Sequence, residues 1–288
     1  MYLKTLTMLS TASFSERIEG LHQAYIEADY IIIGAGSGLS AAAGLDYGGE
    51  DFRREFAPWI AKYGFSDLYF SSFYPFETQE EYWAYWAMHI WFCRYRTGVL
   101  PLYEKLKTRF GSLESFVVTT NVDAQFKLAG FHEERIFATQ GDYCFFQSAS
   151  GTPKILVDNR KWVEQVLPLI KDCCIPTEML PRMPDGSPAA MNLRVDETFV
   201  EDYRWHRQAG RYTDFVRQAS QGKLLLLEFG VGYNTPGIIR YPFEQMAQRF
   251  PHTTLVRFNR DSPDLDIQNL PQFIAFTEDI QSVLASLP

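Results

Sequence analysis

A short apolar run followed by glycines is the feature that most constrains the fold of this chain. The run Asp29–Gly34 is rich in isoleucine and ends on glycine, as buried parallel strands often do. The residues from there to Gly44 are mostly glycine, alanine and serine, which suit a tight turn and the start of a helix. This order is typical of the first unit of a nucleotide-binding α/β sheet. The alternative is a glycine-rich turn that binds nothing.

Other apolar segments predict further strands of the same sheet, at 115–120, 223–229, 253–259 and 273–276. Helices are predicted at 242–250 and 279–286. Because strands and helices alternate at both ends of the chain, one sheet is expected to be assembled from N- and C-terminal parts. Two stretches interrupt this pattern, 65–97 and 141–204, and both are predicted to be insertions that form a smaller module.

The first insertion is dense in aromatic residues. Thr78 and Glu81 have the spacing of a capping box, which predicts a helix beginning there. Tyr82, Trp86 and Ile90 follow at helical spacing. This spacing favours a helical core for the module. The alternative is a partner groove, since tyrosine and tryptophan are enriched in binding hot spots.

Composition excludes several classes of protein. The apolar share of 46% is enough for a full core, and the net charge of −8 argues against a nucleic-acid or anionic-membrane surface. No apolar run approaches the roughly 20 residues that span a bilayer, and Met1–Phe14 lacks the apolar centre of a secretory signal. Four cysteines are too few for a disulfide scaffold in a chain this long. We expect a cytoplasmic protein.

Polar residues follow one of the predicted strands. Asn121 and Asp123 come after the apolar run 115–120, at the strand edge where ligands bind in open α/β sheets. Strand alternation would place both side chains on one side. Gly34 and Gly36 would let backbone N–H groups approach a pyrophosphate. The alternative for Asn121 and Asp123 is a helix N-cap.

These motifs together resemble the sirtuin family. The loop Gly34–Leu45, with Asp51-Phe52-Arg53 after it, is similar to the sirtuin NAD-binding loop. The segment Thr119–Gly130 resembles the sirtuin Asn-hydrophobic-Asp segment with its downstream Ala-Gly. Gly230-Val-Gly232 resembles the second ribose and phosphate loop, and Asn259-Arg260 the adenosine-side asparagine. The matches occur in the family's order and cover most of the chain.

The resemblance implies a Rossmann-like parallel sheet that binds NAD as a substrate, formed by residues 1–64, 98–140 and 205–288. The other residues would form a smaller helical or irregular module with a degenerate zinc ribbon. The implied NAD-binding residues are Gly34, Ala35, Gly36, Ser40, Phe52, Arg53, Asn121, Asp123, Gln140, Gly230, Gly232, Asn259 and Arg260. Asn121 and Gln140 would line the nicotinamide ribose, and Asp123 would accept an N–H of the carboxamide.

Gln140-Gly141 stands where sirtuins have a catalytic His-Gly. An amide cannot act as a general base, but it can hydrogen-bond a ribose hydroxyl and hold the sugar. Cleaving the nicotinamide bond needs little acid–base help, because nicotinamide leaves from a cationic ring. The substitution therefore favours transfer of ADP-ribose to a nucleophile over deacylation.

The metal module also departs from the family pattern. Sirtuins usually carry two Cys-x-x-Cys pairs for a structural zinc, whereas Cys144 here has Gln147 in place of a partner. Cys173 and Cys174 are adjacent, which rarely suits one tetrahedral ion. No zinc is expected, and no role is assigned to the histidines, which lack metal-ligand spacing: His22, His89, His132, His206 and His252.

Both departures, with the segments Val231–Gly237 and Asn192–Phe199, resemble the macrodomain-linked sirtuins of microbial pathogens. That likeness implies a protein ADP-ribosyltransferase that modifies a lipoylated glycine-cleavage-H-like carrier protein. It also implies reversal by a partner macrodomain hydrolase and a link to oxidative stress. The alternatives are an NAD-dependent deacylase and a non-catalytic module that binds NAD or ADP-ribose.

Overall fold

A parallel β-sheet carries the larger part of the fold. The computed structural model describes residues 6–8, 12–45, 47–111, 114–266, 270 and 272–288, so part of Met1–Phe14 lies outside the described residues. The described strands are β1 Leu6–Met8, β2 Tyr30–Ala35, β3 Ser115–Thr119, β4 Ile136–Ala138, β5 Gly141–Ser148, β6 Val157–Asp158, β7 Ala189–Leu193, β8 Leu224–Phe229, β9 Thr253–Phe258 and β10 Gln272–Phe276.

The described α-helices lie between and after these strands. They are α1 Phe14–Glu27, α2 Ser37–Ala42, α3 Glu50–Glu55, α4 Ala57–Tyr63, α5 Leu68–Ser71, α6 Gln79–Ile90, α7 Pro101–Phe110, α8 Gln125–Leu128, α9 Arg160–Val166, α10 Tyr203–Ala219, α11 Arg240–Arg249 and α12 Ile280–Ser286. A π-helical turn, Trp91–Arg96, continues α6. Within the described part of the chain, every helix is too short or too polar to cross a bilayer.

The strand order of the main sheet is β1-β10-β9-β8-β2-β3-β4, and all neighbours are parallel. The chain therefore runs outward from β2 to β4, then returns to β8 and runs outward on the other side to β10. This is the Rossmann winding order, and the direction of winding reverses between β2 and β8. The predicted α/β parallel sheet is confirmed. The sequence prediction did not include β1 and β4.

Four strands of this sheet end at the same level. Ala35 of β2 pairs with Thr119 of β3 and with Phe229 of β8, and Phe229 pairs with Phe258 of β9. Helices cover both faces, so the strands are buried along nearly their whole length. The loops that follow the four strands consequently meet at one edge of the sheet.

The inserted module has its own aromatic core. Helix α6 begins where the sequence predicts, because Thr78 Oγ1 accepts the Glu81 N–H at 3.2 Å. The module is more than helical and irregular, since β6, β5 and β7 form an antiparallel sheet that the sequence prediction missed. Its core also includes Phe52, Phe56 and Trp59, which lie before residue 65. Aromatic residues of α6 are buried there, as the core interpretation of this segment predicts.

Candidate active site

Two glycine loops touch where the winding of the sheet reverses. A Cβ on Gly36 would lie 2.6 Å from the Gly230 carbonyl oxygen, and one on Gly38 would lie 2.8 Å from the Gly230 Cα. The Gly36 N–H donates to Phe229 O at 3.0 Å, and the Gly38 N–H donates to Gly230 O at 3.1 Å. Only glycine allows this approach, so these residues form a side-chain-free floor at the topological switch point. Ligands of open α/β sheets bind at this place.

The glycines of the first loop divide between two roles. Gly34 and Ala35 belong to β2, and a Cβ on Gly34 would overlap the Phe243 ring at 2.7 Å. Gly34 therefore allows α11 to pack on the sheet and does not line the loop. Gly38, which the sequence interpretation left out, lies in the first turn of α2 and contacts Gly230 instead. The sequence pattern that could have identified Gly38 is a second glycine two residues after Gly36, beyond the end of the strand.

Asn121 lies just past the end of β3 and is fixed by three acceptors. Its Nδ2 is 2.9 Å from Gly36 O, 3.2 Å from Ser40 Oγ and 3.2 Å from the Tyr103 hydroxyl. The side chain is 8% exposed, and Oδ1 has no hydrogen-bond partner among the described residues. These contacts hold the amide rigidly through its nitrogen and leave its oxygen available. The sequence interpretation had missed Tyr103.

Asp123 is buried beside the same residues. Its Oδ2 accepts from Ser40 Oγ at 2.5 Å, and its Oδ1 accepts from the Gln125 N–H at 3.0 Å. The second bond closes a local turn just before α8, whose N-cap is Ala124, so the alternative that Asn121 or Asp123 is a helix N-cap is wrong. Burial raises the pKa of Asp123, and the hydrogen bond from Ser40 opposes that shift. Asp123 is thus a desolvated carboxyl group that, among the described residues, is held by hydrogen bonds rather than by a direct ion pair.

Two clefts meet at these residues, and Asn121 and Asp123 line both. One, here called the loop cleft, has a volume of about 130 Å³ and lies between Ser37, Tyr47 and Tyr143. The other, here called the helix cleft, has a volume of about 170 Å³ and lies among Ala138, Phe145, Val200 and Trp205. Two different molecules could therefore reach Asn121 and Asp123 from different sides.

Gln140 is positioned by its neighbours in the chain. Thr139 bonds to Thr119 O through both its N–H and its hydroxyl, each at 3.0 Å, which ties this segment to the end of β3. Gly141 has φ +98 and packs against the Asn192 carbonyl, a contact that leaves no room for a side chain. Gln140 Oε1 is buried and has no hydrogen-bond partner among the described residues. An unpaired buried amide oxygen costs about 1–3 kcal/mol. Gln140 is not among the residues that line either cleft, although the adjacent Gly141 lines the helix cleft.

The two residues that the resemblance assigns to the adenosine side of NAD, Asn259 and Arg260, differ in their contacts. Asn259 Nδ2 donates to Val231 O at 2.9 Å, and Asn259 Oδ1 accepts from the backbone at Asp261 and Ser262, so this residue shapes the loop that contains Gly232. Arg260 is 83% exposed and pairs with Asp261. The structure does not bring it to the two clefts.

Phe52 and Arg53 also lie away from the clefts. Phe52 is fully buried and stacks on Phe56 in the core of the module. Arg53 is exposed and donates to Gly48 O at 2.9 Å. The sequence motif that contains them therefore contributes to the fold of the module here.

Three further residues at the loop cleft were missed because they lie far apart in sequence. They are Tyr47, His89 and Tyr143. Nothing local to any of them distinguishes it from a core residue, so no sequence signal could have found them. Among the residues that the structure describes, no group of three or more His, Cys, Asp or Glu side chains could hold a metal ion. The four cysteines are free.

Comparison with known proteins defines the class. No family model matches the chain. A solved structure from a study of sirtuin substrate affinity is 16% identical, has a TM-score of 0.56, and is covered over 96% of its length by 93% of this chain. With the Rossmann winding and the glycine floor, this similarity defines a sirtuin-fold protein.

A curated protein ADP-ribosyltransferase of Staphylococcus aureus (strain Mu50) is 31% identical over 94% of this chain and 87% of its own length. The chain belongs to this family of NAD-dependent protein ADP-ribosyltransferases and has a sirtuin fold. A probable bifunctional ADP-ribose hydrolase/ADP-ribosyltransferase of Fusarium oxysporum f. sp. cubense is 29% identical over 77% of this chain and 38% of its own length.

Proposed function

We propose that this enzyme transfers ADP-ribose from NAD to a lipoylated glycine-cleavage-H-like carrier protein and releases nicotinamide. The observation that carries the proposal is the pair of clefts that share Asn121 and Asp123. A transferase must bring a donor and an acceptor to one reacting carbon. In this assignment the loop cleft holds the nicotinamide end of NAD, and the helix cleft admits the acceptor.

The proposed residue roles follow from the side-chain atoms that can still accept a hydrogen bond from NAD. NAD supplies a cationic nicotinamide as the leaving group. Asn121 presents its free Oδ1, and Gln140 its unpaired Oε1, to hydroxyls of the nicotinamide ribose. Asp123 accepts an N–H of the carboxamide. Because Gln140 cannot remove a proton, the enzyme acts by orienting the sugar and its leaving group rather than by acid–base chemistry.

The helix cleft supports an acceptor with an apolar arm. Apart from Asp123, the charged side chains that line it are paired with one another and offer little to an ionic ligand: Arg94 with Asp142 at 3.0 Å, Lys127 with Glu133 at 2.7 Å, and Arg204 with Asp202 at 2.9 Å. Between these pairs the walls include Phe126, Phe145 and Val200. A lipoyl-lysine arm is long, uncharged and mostly aliphatic, which suits such a cleft.

Reversal by a partner macrodomain hydrolase is also part of the proposal. The Fusarium relative, by its name, combines an ADP-ribose hydrolase with an ADP-ribosyltransferase in one chain. That pairing supports a cycle in which one protein adds the modification and another removes it. We place this cycle in the cytoplasm and in the response to oxidative stress.

The test is an incubation with NAD labelled in the ADP-ribose part, using the carrier protein with and without its lipoyl group. We expect label on the lipoylated carrier and release of one nicotinamide for each label. Equal labelling of both forms would contradict the role of the lipoyl group. Nicotinamide release that depends on an acylated peptide, without protein label, would indicate a deacylase. Binding of NAD without any release would indicate a non-catalytic module.

A further inference from the structure

A buried chain of hydrogen bonds runs from α6 to the loop cleft. His89 on α6 is 2% exposed, and its Nδ1 lies 2.9 Å from the Tyr85 hydroxyl. Its Nε2 lies 3.0 Å from the hydroxyl of Tyr143, which lines the loop cleft. The Tyr143 N–H donates to Val122 O at 3.0 Å, between Asn121 and Asp123. Tyr143 is therefore held at its backbone and at its hydroxyl.

The number of protons fixes the direction of each bond. The Tyr85 hydroxyl has one proton and donates it to Leu68 O at 3.2 Å, so toward His89 it acts as the acceptor. Burial lowers the pKa of His89 to about 3, so the ring is neutral and has a single N–H. We assign that N–H to Nδ1, because the Tyr85 hydroxyl already donates to Leu68 O, and Nε2 is then the acceptor for the Tyr143 hydroxyl.

This direction decides what Tyr143 offers to a ligand. Its only hydroxyl proton is used by His89, so the oxygen presents lone pairs to the loop cleft. Asp123 lines the same cleft, and in its ionised form it likewise only accepts hydrogen bonds. A ligand group that donates N–H bonds is matched by these two acceptors, whereas a carboxylate would face them without a proton to share.

We propose that Tyr143, oriented by His89, makes the loop cleft selective for a carboxamide over a carboxylate. The enzyme then uses NAD and discriminates against nicotinic acid adenine dinucleotide, which differs only in that group. Tyr143 is the specificity-determining residue and His89 its positioning residue. This inference rests on the proposed placement of nicotinamide in the loop cleft.

The experiment compares kcat/KM for NAD with kcat/KM for nicotinic acid adenine dinucleotide, measured by release of the free pyridine. In His89→Leu the Tyr143 proton is freed to donate to a carboxylate, and we expect the ratio to fall about tenfold. Tyr143→Phe removes one acceptor, so it should lower the ratio mainly by raising KM for NAD. His89→Gln keeps one donor and one acceptor and should retain most of the selectivity. Tyr82→Phe, on the same helix but outside the cleft, is the matched control.

An unchanged ratio in folded Tyr143→Phe overturns the proposal, and this variant stays available if His89→Leu does not fold. The proposal is also overturned if the ratio falls as far in Tyr82→Phe as it does in His89→Leu. Calorimetry with free nicotinamide and nicotinic acid tests the same selectivity without turnover. Selective binding of nicotinamide together with absent transfer would therefore contradict the proposed function while supporting this inference.

Discussion

Two buried polar clusters lie at the same edge of the sheet and differ in how fully their atoms are paired. The ion cluster consists of Glu228, Arg240, Glu244, Arg257 and Asp266 and joins the strands β8 and β9 to α11. The site cluster consists of Ser40, Tyr103, Asn121 and Asp123. Both are almost inaccessible to solvent, apart from the partly exposed Asp266.

In the ion cluster the acidic and basic side chains form ion pairs with one another. Arg257 Nε is 2.7 Å from Glu228 Oε1, and Arg257 Nη2 is 2.8 Å from Glu244 Oε1. Arg240 Nε bonds to Asp266, and two of its other nitrogens bond to the carbonyls of Ser262 and Asp264. These contacts fix the segment after β9 against α11, so the cluster is structural.

In the site cluster, some side-chain atoms can still form a hydrogen bond with a ligand. Among the described residues, the side chain of Asn121 is held only through Nδ2, and Asp123 has no direct cationic partner. Evolution of a stable core would remove such atoms, because an unpaired buried polar group costs free energy. The comparison teaches that the site cluster differs from the ion cluster in how fully its atoms are paired, rather than in burial or polarity. Each experiment below tests that distinction.

The largest effect is expected when the ion cluster is broken. Arg257→Leu leaves Glu228 buried without its closest cation, so we expect the free energy of unfolding to fall by about 3–5 kcal/mol. Denaturant unfolding measures it. Arg249→Leu, at an exposed position of α11, is the control and should change stability by less than about 1 kcal/mol. A loss of similar size in both variants would show that the cluster is not structural.

Asn121→Ala should lower the activity without lowering the stability of the fold. Losing the oxygen that orients the ribose should lower transfer by about 10²–10³-fold. Labelled-NAD transfer and nicotinamide release measure the effect, and thermal unfolding checks that the variant is folded. Transfer at the wild-type rate would mean that the site cluster does not touch the sugar.

Gln140→Ala should have a smaller effect on the same assay. It removes one ribose contact but no proton-transfer step, so we expect transfer to fall by about tenfold. The variant should also be at least as stable as the wild type, since an unpaired buried oxygen is removed. A loss as large as that of Asn121→Ala would contradict a role limited to positioning.

Ser40→Ala tests what sets the pKa of Asp123. Burial raises the pKa of Asp123, and the Ser40 hydroxyl lowers it. A carboxylate accepts a carboxamide N–H better than a carboxylic acid does, so kcat/KM should fall as pH drops through this pKa. Removing the hydroxyl should raise the pKa and move the acidic limb of the kcat/KM–pH profile to higher pH. An unmoved limb would show that Asp123 does not control it.

Arg260→Ala should have the smallest effect. Although the sequence resemblance places Arg260 among the NAD-binding residues, its exposed pair with Asp261 lies outside both clefts. We expect KM for NAD to change by less than about twofold. A larger rise would show that this side chain reaches the dinucleotide when it is bound.

The sequence by itself determined where the strands of the sheet end and which polar residues follow them. The run Asp29–Gly34 and the segment after residue 115 are local patterns, because strand formation depends on apolar, β-branched residues close together in the chain. Since parallel strands present their carboxyl ends at one edge, the meeting of the glycine loop with Asn121 and Asp123 also followed from local signals.

Only the tertiary structure decided which partners complete the site. Tyr103 meets Ser40 across 63 positions of sequence, and Tyr143 meets His89 across 54. Such contacts depend on how two layers pack, and no periodicity within either segment specifies them. The same holds for Phe52 and Arg260, whose motifs predict a role in NAD binding but whose positions depend on the packing of the module and on a loop. Local sequence fixes where elements lie, and packing fixes which side chains meet.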